Sequence, residues 1–244
     1  MRFVLLCVIS LMVLAVIPQP SIAVELGWGT ITLMPGENWV SAPVIPLDPL
    51  PTSVFSGIDI ANNLTWFDPI SQRPIAYDPA HPGDFPNILM GDGYTITNHG
   101  STPVILTYEG VIINDTDVWI SLPGGGNGGM HWIGVPYTIP TAFDRIIVTD
   151  GEEAYYAADA ALLGWIDPIW RTMNPATQTI ETVGATTQQG VDTHYLRPGY
   201  MYKVQTYRDD LAIILDAPVP EPTGLSVLIS GLFCITALTR RRKQ

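Results

Sequence analysis

Tryptophan-marked motifs recur in the same order in two halves of this 244-residue chain, and that duplication constrains the fold more than any other feature. Trp28, Leu33, Pro35-Gly36 and Trp39 are answered by Trp119, Leu122, Pro123-Gly124 and Trp132. Further on, Leu64, Trp66 and Asp68-Pro69 align with Leu163, Trp165 and Asp167-Pro168, and Gly93-Tyr94 aligns with Gly199-Tyr200. The offset grows along this alignment from 91 through 93 and 99 to 106, as loop insertions would make it grow. A period near 95 is domain-sized and too long for a solenoid.

Local chemistry predicts strands for each copy. Segments 30–33, 94–97, 104–108 and 200–206 are short, β-branched or aromatic, and several alternate. The 22 Gly and 22 Pro punctuate them as turn residues do. One stretch, 152–163, reads as an inserted helix: it follows Asp150-Gly151, opens with two acids and is rich in alanine. The expected fold is all-β: two tandem pseudo-repeats, 24–114 and 115–217, each a small sandwich or barrel-like unit, with one inserted short helix. The unit resembles the GWN-LISLP type of repeat in secreted bacterial multidomain proteins. There an aromatic strand follows a Pro-Gly turn, and the resemblance implies architecture with no catalytic role. Here Gly36-Glu37-Asn38-Trp39 shifts the tryptophan, and Met130-His131 replaces the usual Gly and Asn.

Both ends of the chain read as targeting devices. Met1-Arg2, the apolar run Phe3–Ile17 and the break at Pro18 compose a signal peptide, with Ser21 and Ala23 at the small-residue positions and cleavage after Ala23. At the other end, Pro220-Glu221-Pro222 precedes 17 uncharged residues, Thr223 to Thr239, and then Arg240-Arg241-Arg242-Lys243. A helix of that length spans roughly 25 Å, short but sufficient for a bilayer core. The basic cluster would hold its own side of the membrane cytoplasmic. Residues 218–244 resemble the PEP-CTERM sorting signal of Gram-negative bacteria. That resemblance implies recognition by an exosortase near Pro220, Glu221 and Pro222, with Arg240, Arg241 and Arg242 as the basic element. Signal peptidase is the other processing partner. The location implied is the membrane before processing and the cell surface or extracellular matrix afterwards; an uncleaved single-pass anchor is the alternative.

The body between these ends contains no cysteine, since Cys7 and Cys234 lie in the targeting segments, so no disulfide framework is available to it. Its 22 acidic side chains face 6 basic ones, a net of −16 that disfavours nucleic acid and anionic lipid. His81, His99, His131 and His194 show no metal-ligand spacing, and Asp92 and 114–117 do not continue into a calcium loop with a distal glutamate. The glycine-rich 123–129 lacks the Lys-Ser/Thr of a phosphate loop. Asp68 and Asp167 read as turn caps rather than a catalytic pair. No cofactor, metal site or catalytic residue is expected, and the chain reads as a non-catalytic surface protein. The competing reading is a module that binds extracellular polysaccharide through exposed rings, with Trp170, Tyr155, Tyr156 and Tyr195 as candidates.

Overall fold

The computed structural model describes residues 25–124 and 128–217. Strands dominate these residues, with 46% strand against 8% helix, so the fold is all-β. The expected signal peptide and the expected sorting tail, residues 1–23 and 218–244, lie outside the described residues.

In the first half, β1 (Glu25–Leu33), β7 (Val104–Ile112) and β3 (Ile45–Pro46) form one antiparallel sheet in the order β1-β7-β3. β2 (Gly36–Ser41), β6 (Gly93–Asn98), β4 (Thr65–Asp68) and β5 (Arg73–Ala76) form a second, β2-β6-β4-β5. A single core draws Ile31, Leu33, Leu106 and Tyr108 from the first and Val40, Tyr94 and Ile96 from the second. Alternation along β1 explains the division: Ile31 and Leu33 point inward while Leu26, Trp28, Thr30 and Thr32 point out. The one-turn helix α1 (Pro51–Val54) adds Val54 to the same core.

The second half repeats this order. β8 (Val118–Leu122), β17 (Leu211–Leu215), β11 (Ile146–Thr149) and β12 (Ala154–Tyr156) form the sheet β8-β17-β11-β12. β9 (Gly129–Gly134), β16 (Met201–Thr206), β13 (Trp170–Asn174) and β14 (Thr179–Val183) form β9-β16-β13-β14. A small fifth sheet pairs β10 (Thr141–Ala142) with β15 (Tyr195–Leu196).

The matching strands correct the sequence alignment in two places. Trp39 pairs with Thr95 and Trp132 with Lys203, so Tyr94 corresponds to Tyr202 rather than to Tyr200. Their hydroxyls agree, since the Tyr94 oxygen accepts the Leu89 amide and the Tyr202 oxygen the Arg197 amide, each donor five residues upstream. The slip is two residues, which a strand tolerates because its faces repeat every second residue. Likewise Thr65 faces Thr95 as Arg171 faces Lys203, so β4 corresponds to β13 and Trp66 to Thr172, not to Trp165. The true partner of Asp68-Pro69-Ile70-Ser71-Gln72 is Asn174-Pro175-Ala176-Thr177-Gln178, both turns at the tip of a hairpin. Trp28 stands five residues before Leu33 and Trp119 three before Leu122, on outward faces of equivalent strands.

The expected helix at 152–163 is shorter. Asp150 Oδ1 accepts the amides of Glu152 and Glu153 at 3.0 and 2.8 Å, which folds the acids into a turn. Residues 154–156 then extend against β11, and only α2 (Ala157–Leu162) is helical, burying Ala157 and Ala160.

Candidate functional site

The two sandwiches meet through their second sheets, and the seam has an approximate two-fold axis written into its bonds. The Ser41 amide donates to the Gly199 carbonyl at 3.0 Å, and its counterpart Gly134 donates to Gly91 at 2.8 Å. Isolated bridges join Val40 to Tyr200 and Ile133 to Asp92 in the same reciprocal way.

Two glutamines clasp the seam from opposite sides. Gln72 takes the Met130 amide on Oε1 at 2.7 Å and donates from Nε2 to the Met130 carbonyl at 3.2 Å. Gln178 does the same with Glu37, at 2.9 and 3.0 Å. Each amide therefore imitates one more peptide unit on the edge strand of the other sandwich. Gln72 and Gln178 sit at φ of 54° and 56°, a region unusual for a residue with a side chain. Asp68 and Asn174 set up the turns, each accepting the amide two residues on at 3.0 Å. Asp167 caps its own turn in the same manner, through Ile169.

Near the axis, residues meet their own counterparts. A Cβ on Gly93 would lie 2.0 Å from Met201, its equivalent, and one on Gly134 would lie 2.2 Å from the Cβ of Ser41, its equivalent. One member of each pair must be small. Beside them the Lys203 ammonium lies 3.8 Å from the Trp39 ring and 4.8 Å from the Trp132 ring. Burial holds its pKa below the usual lysine value, partly countered by Glu37. Glu37 also accepts Trp39 Nε1 at 2.7 Å, and Phe67 stacks on Trp132 at 5.3 Å. Met173, which corresponds to Phe67, joins the same small core as Trp39 and Met201.

Two clefts flank the seam at equivalent places, and they have diverged. One, lined by Trp66, Phe67, Pro69, Gly91, Asp92, Ile120, His131 and Trp132, has shrunk to about 30 Å³. Asp92 is hydrogen-bonded there by Trp66 and Tyr94, and burial pushes its pKa up to about 6. His131 is buried with Thr206 Oγ1 at 3.3 Å, and burial pushes its pKa down to about 4. An acid and a base share this crevice, but it has room for roughly one water molecule and none for a substrate. The other cleft, about 310 Å³, is lined by Thr30, Thr32, Asn38, Trp39, Tyr200, Pro175 and neighbouring apolar groups. Tyr200 stands where Asp92 stands in the closed cleft, and Asn38 where His131 stands. The Asn38 side chain is spent on Met34 and Gly36.

The residues expected to offer rings to a ligand are not brought together. Trp170 is fully buried, edge-on to Phe143 at 5.0 Å, and occupies the position of Leu64 in the first sandwich. Tyr155 is half-buried and packs edge-on against Trp165 at 5.1 Å. Tyr156 and Tyr195 are exposed but lie on different sheets. Tyr156 ends an in-register row, Trp119-Ile214-Ile147-Tyr156, across the outer sheet of the second sandwich. Trp28 and Trp119, exposed at 66% and 64%, are surface tryptophans that the pattern of repeats had concealed. Ala23, Pro220, Glu221, Pro222, Arg240, Arg241 and Arg242 fall outside the described residues. Among the described residues no group of three His, Cys, Asp or Glu is placed to hold a metal, and no helix is long and apolar enough to cross a membrane. No family model matches the chain, and no curated protein or solved structure matches it.

Proposed function

We propose that the chain is an exported, non-catalytic protein of the cell surface or extracellular matrix, built from two β repeats and delivered by its C-terminal sorting signal. One structural observation carries the non-catalytic part. The roomy cleft is lined without a carboxylate, histidine, lysine, arginine, cysteine or serine, so it offers neither a general acid–base pair nor an activated nucleophile. The acid and base of the other cleft are enclosed where a substrate has no room. Delivery rests on the signal peptide and on Pro220-Glu221-Pro222 with its apolar and basic followers, which imply signal peptidase, exosortase and a transient membrane stage. Fractionation of cells expressing the full chain, with and without residues 220–222, tests it. The intact chain should reach the surface or medium in processed form, and the deleted chain should accumulate unprocessed in the membrane. Identical processing and location for both would leave a plain anchor in place of a sorting signal. A second reading, a polysaccharide-binding module on the same scaffold, is favoured by the shape and lining of that cleft.

A further inference from the structure

We propose that the open seam cleft, together with Trp28 further along β1, binds a neutral glycan through the Tyr200 and Trp28 rings and the Thr30 and Thr32 hydroxyls. This deepens the surface-protein reading and rests on it for access to extracellular polysaccharide.

The lining chooses the ligand. No residue that lines the cleft carries a charge, although the chain has a net charge of −12. Three charges stand against lining residues: Arg197 stacks at 4.2 Å on the Tyr200 ring and pairs with Glu181, Lys203 lies 3.8 Å from the Trp39 ring, and Glu37 holds the Trp39 indole N–H. The lining itself offers an anion no cation and a cation no carboxylate. What remains is a mixed surface of hydroxyls from Thr30 and Thr32 beside Ile31, Met34, Pro175, Pro198 and the Tyr200 ring. A sugar has that dual character, with C–H faces for rings and hydroxyl edges for donors and acceptors. A hydrocarbon would bury the threonine hydroxyls without partners, at a cost of about 1–3 kcal/mol each. A peptide adding to the edge of β1 would meet the Gly199 loop, since a Cβ on Gly199 would lie 4.0 Å from the Thr30 carbonyl.

Trp28 extends the site. It lies on the outward face of β1 in line with Thr30 and Thr32, and a strand advances about 7 Å for every two residues. Its backbone therefore lies one strand repeat from the lining residue Thr30, and its ring is 66% exposed. At about 310 Å³ the cleft suits a short stretch of sugar rings. The divergence of the two clefts supports this as well. Trp66, Phe67 and Asp92 line one, whereas of their equivalents Thr172 and Met173 are buried and only Tyr200 lines the other.

Isothermal titration of the purified protein with cellohexaose, maltohexaose and mannohexaose, and with hexagalacturonate as a charged comparison, tests the site. At least one neutral hexasaccharide should bind, and hexagalacturonate should not. Trp28→Ala and Tyr200→Ala should each weaken binding by roughly tenfold or more, about 1.4 kcal/mol. Trp28→Ala should melt at the wild-type temperature, which separates lost binding from lost folding. Trp119→Ala and Tyr156→Ala should bind like wild type. The proposal is overturned if no neutral hexasaccharide binds or if hexagalacturonate binds as tightly. Loss of binding in Trp119→Ala or Tyr156→Ala, with Trp28→Ala unaffected, would move the site to the outer-sheet row. A correctly sorted protein that binds none of these would refute the glycan site alone, because location is read separately by fractionation.

Discussion

Replacing Asp92 with Asn should stabilise the protein at neutral pH and leave it unchanged near pH 4. Asp92 is enclosed at the seam, and its pKa rises from 3.8 to about 6 on folding, chiefly through desolvation. For a carboxyl raised in this way the folded state takes up protons more readily than the unfolded one. Below 3.8 both states are protonated and there is no penalty; above 6 both are ionised and the buried charge weakens the fold. The shift corresponds to at most about 3 kcal/mol, reduced by the edge of the carboxylate that still meets water. His131 in the same crevice has the opposite slope. Its pKa falls from 6.5 to about 4, so its contribution is complete above 6.5 and is lost as pH drops towards 4. The two terms are similar in size and largely cancel in the wild type. Asp92→Asn removes one and should expose a stability that falls as pH drops from 6.5 to 4. His131→Asn, which copies Asn38 from the other cleft, should expose a stability that rises over nearly the same window. Urea unfolding followed by tryptophan fluorescence at a series of pH values measures both. A difference between Asp92→Asn and wild type that stays constant from pH 4 to pH 8 would refute the raised carboxyl and the cancellation with it.

The seam offers further tests by the same denaturation assay. Gln72→Ala should cost about 2 kcal/mol and Gln178→Ala about 1 kcal/mol, because the Met130 bonds are better shielded than those to Glu37. Equal losses would argue that burial does not set the strength of the clasp. Gly93→Ala should destabilise by about 1–3 kcal/mol through its clash with Met201, and Met201→Ala in the same chain should recover part of that loss. Strictly additive losses would show that the two counterparts do not compete for one space. Gly134→Ala has less scope for rescue, because its Cβ would also lie 2.8 Å from the Asp92 carbonyl oxygen, and it should cost at least as much as Gly93→Ala.

Much of the fold was legible because rare residues mark it. Trp39 and Trp132 lie on equivalent strands with the same burial logic, and the strands at 30–33, 94–97, 104–108 and 200–206 follow from local composition. The failures share a cause. An alignment anchored on tryptophans drew Trp66 to Trp165, although the polar turn beside it, Asp-Pro-Ile-Ser-Gln at 68–72, recurs as Asn-Pro-Ala-Thr-Gln at 174–178. Short polar turns look interchangeable in a sequence, yet here they carry the residues that reach across the seam. Trp170 looked unassigned, and hence available to a ligand, only because its counterpart is the aliphatic Leu64. A buried position keeps its hydrophobicity and not its residue type.

The seam also explains how two copies of one fold acquire different faces. At a two-fold axis a residue packs against its own equivalent, so identical copies would place Met against Met or Ser against Ser in one space. The chain resolves this by making one partner glycine each time, Gly93 with Met201 and Gly134 with Ser41. Because both copies belong to a single chain, each side of the axis can be changed alone, which two identical subunits could not do. Once the centre is asymmetric, the flanking clefts no longer share one constraint. Asp92 and Trp66 line the first, while of their equivalents Tyr200 lines the wider second cleft and Thr172 is buried. Trp66→Thr, which copies the residue at position 172, should enlarge that crevice and lower the Asp92 pKa, because readmitted water relieves the desolvation that is its largest cause while the lost indole hydrogen bond acts the smaller, opposite way. Carboxyl titration by NMR would show it, and an Asp92 pKa still at or above 6 in that variant would mean that the indole lowers this pKa through its hydrogen bond at least as much as it raises it by enclosure.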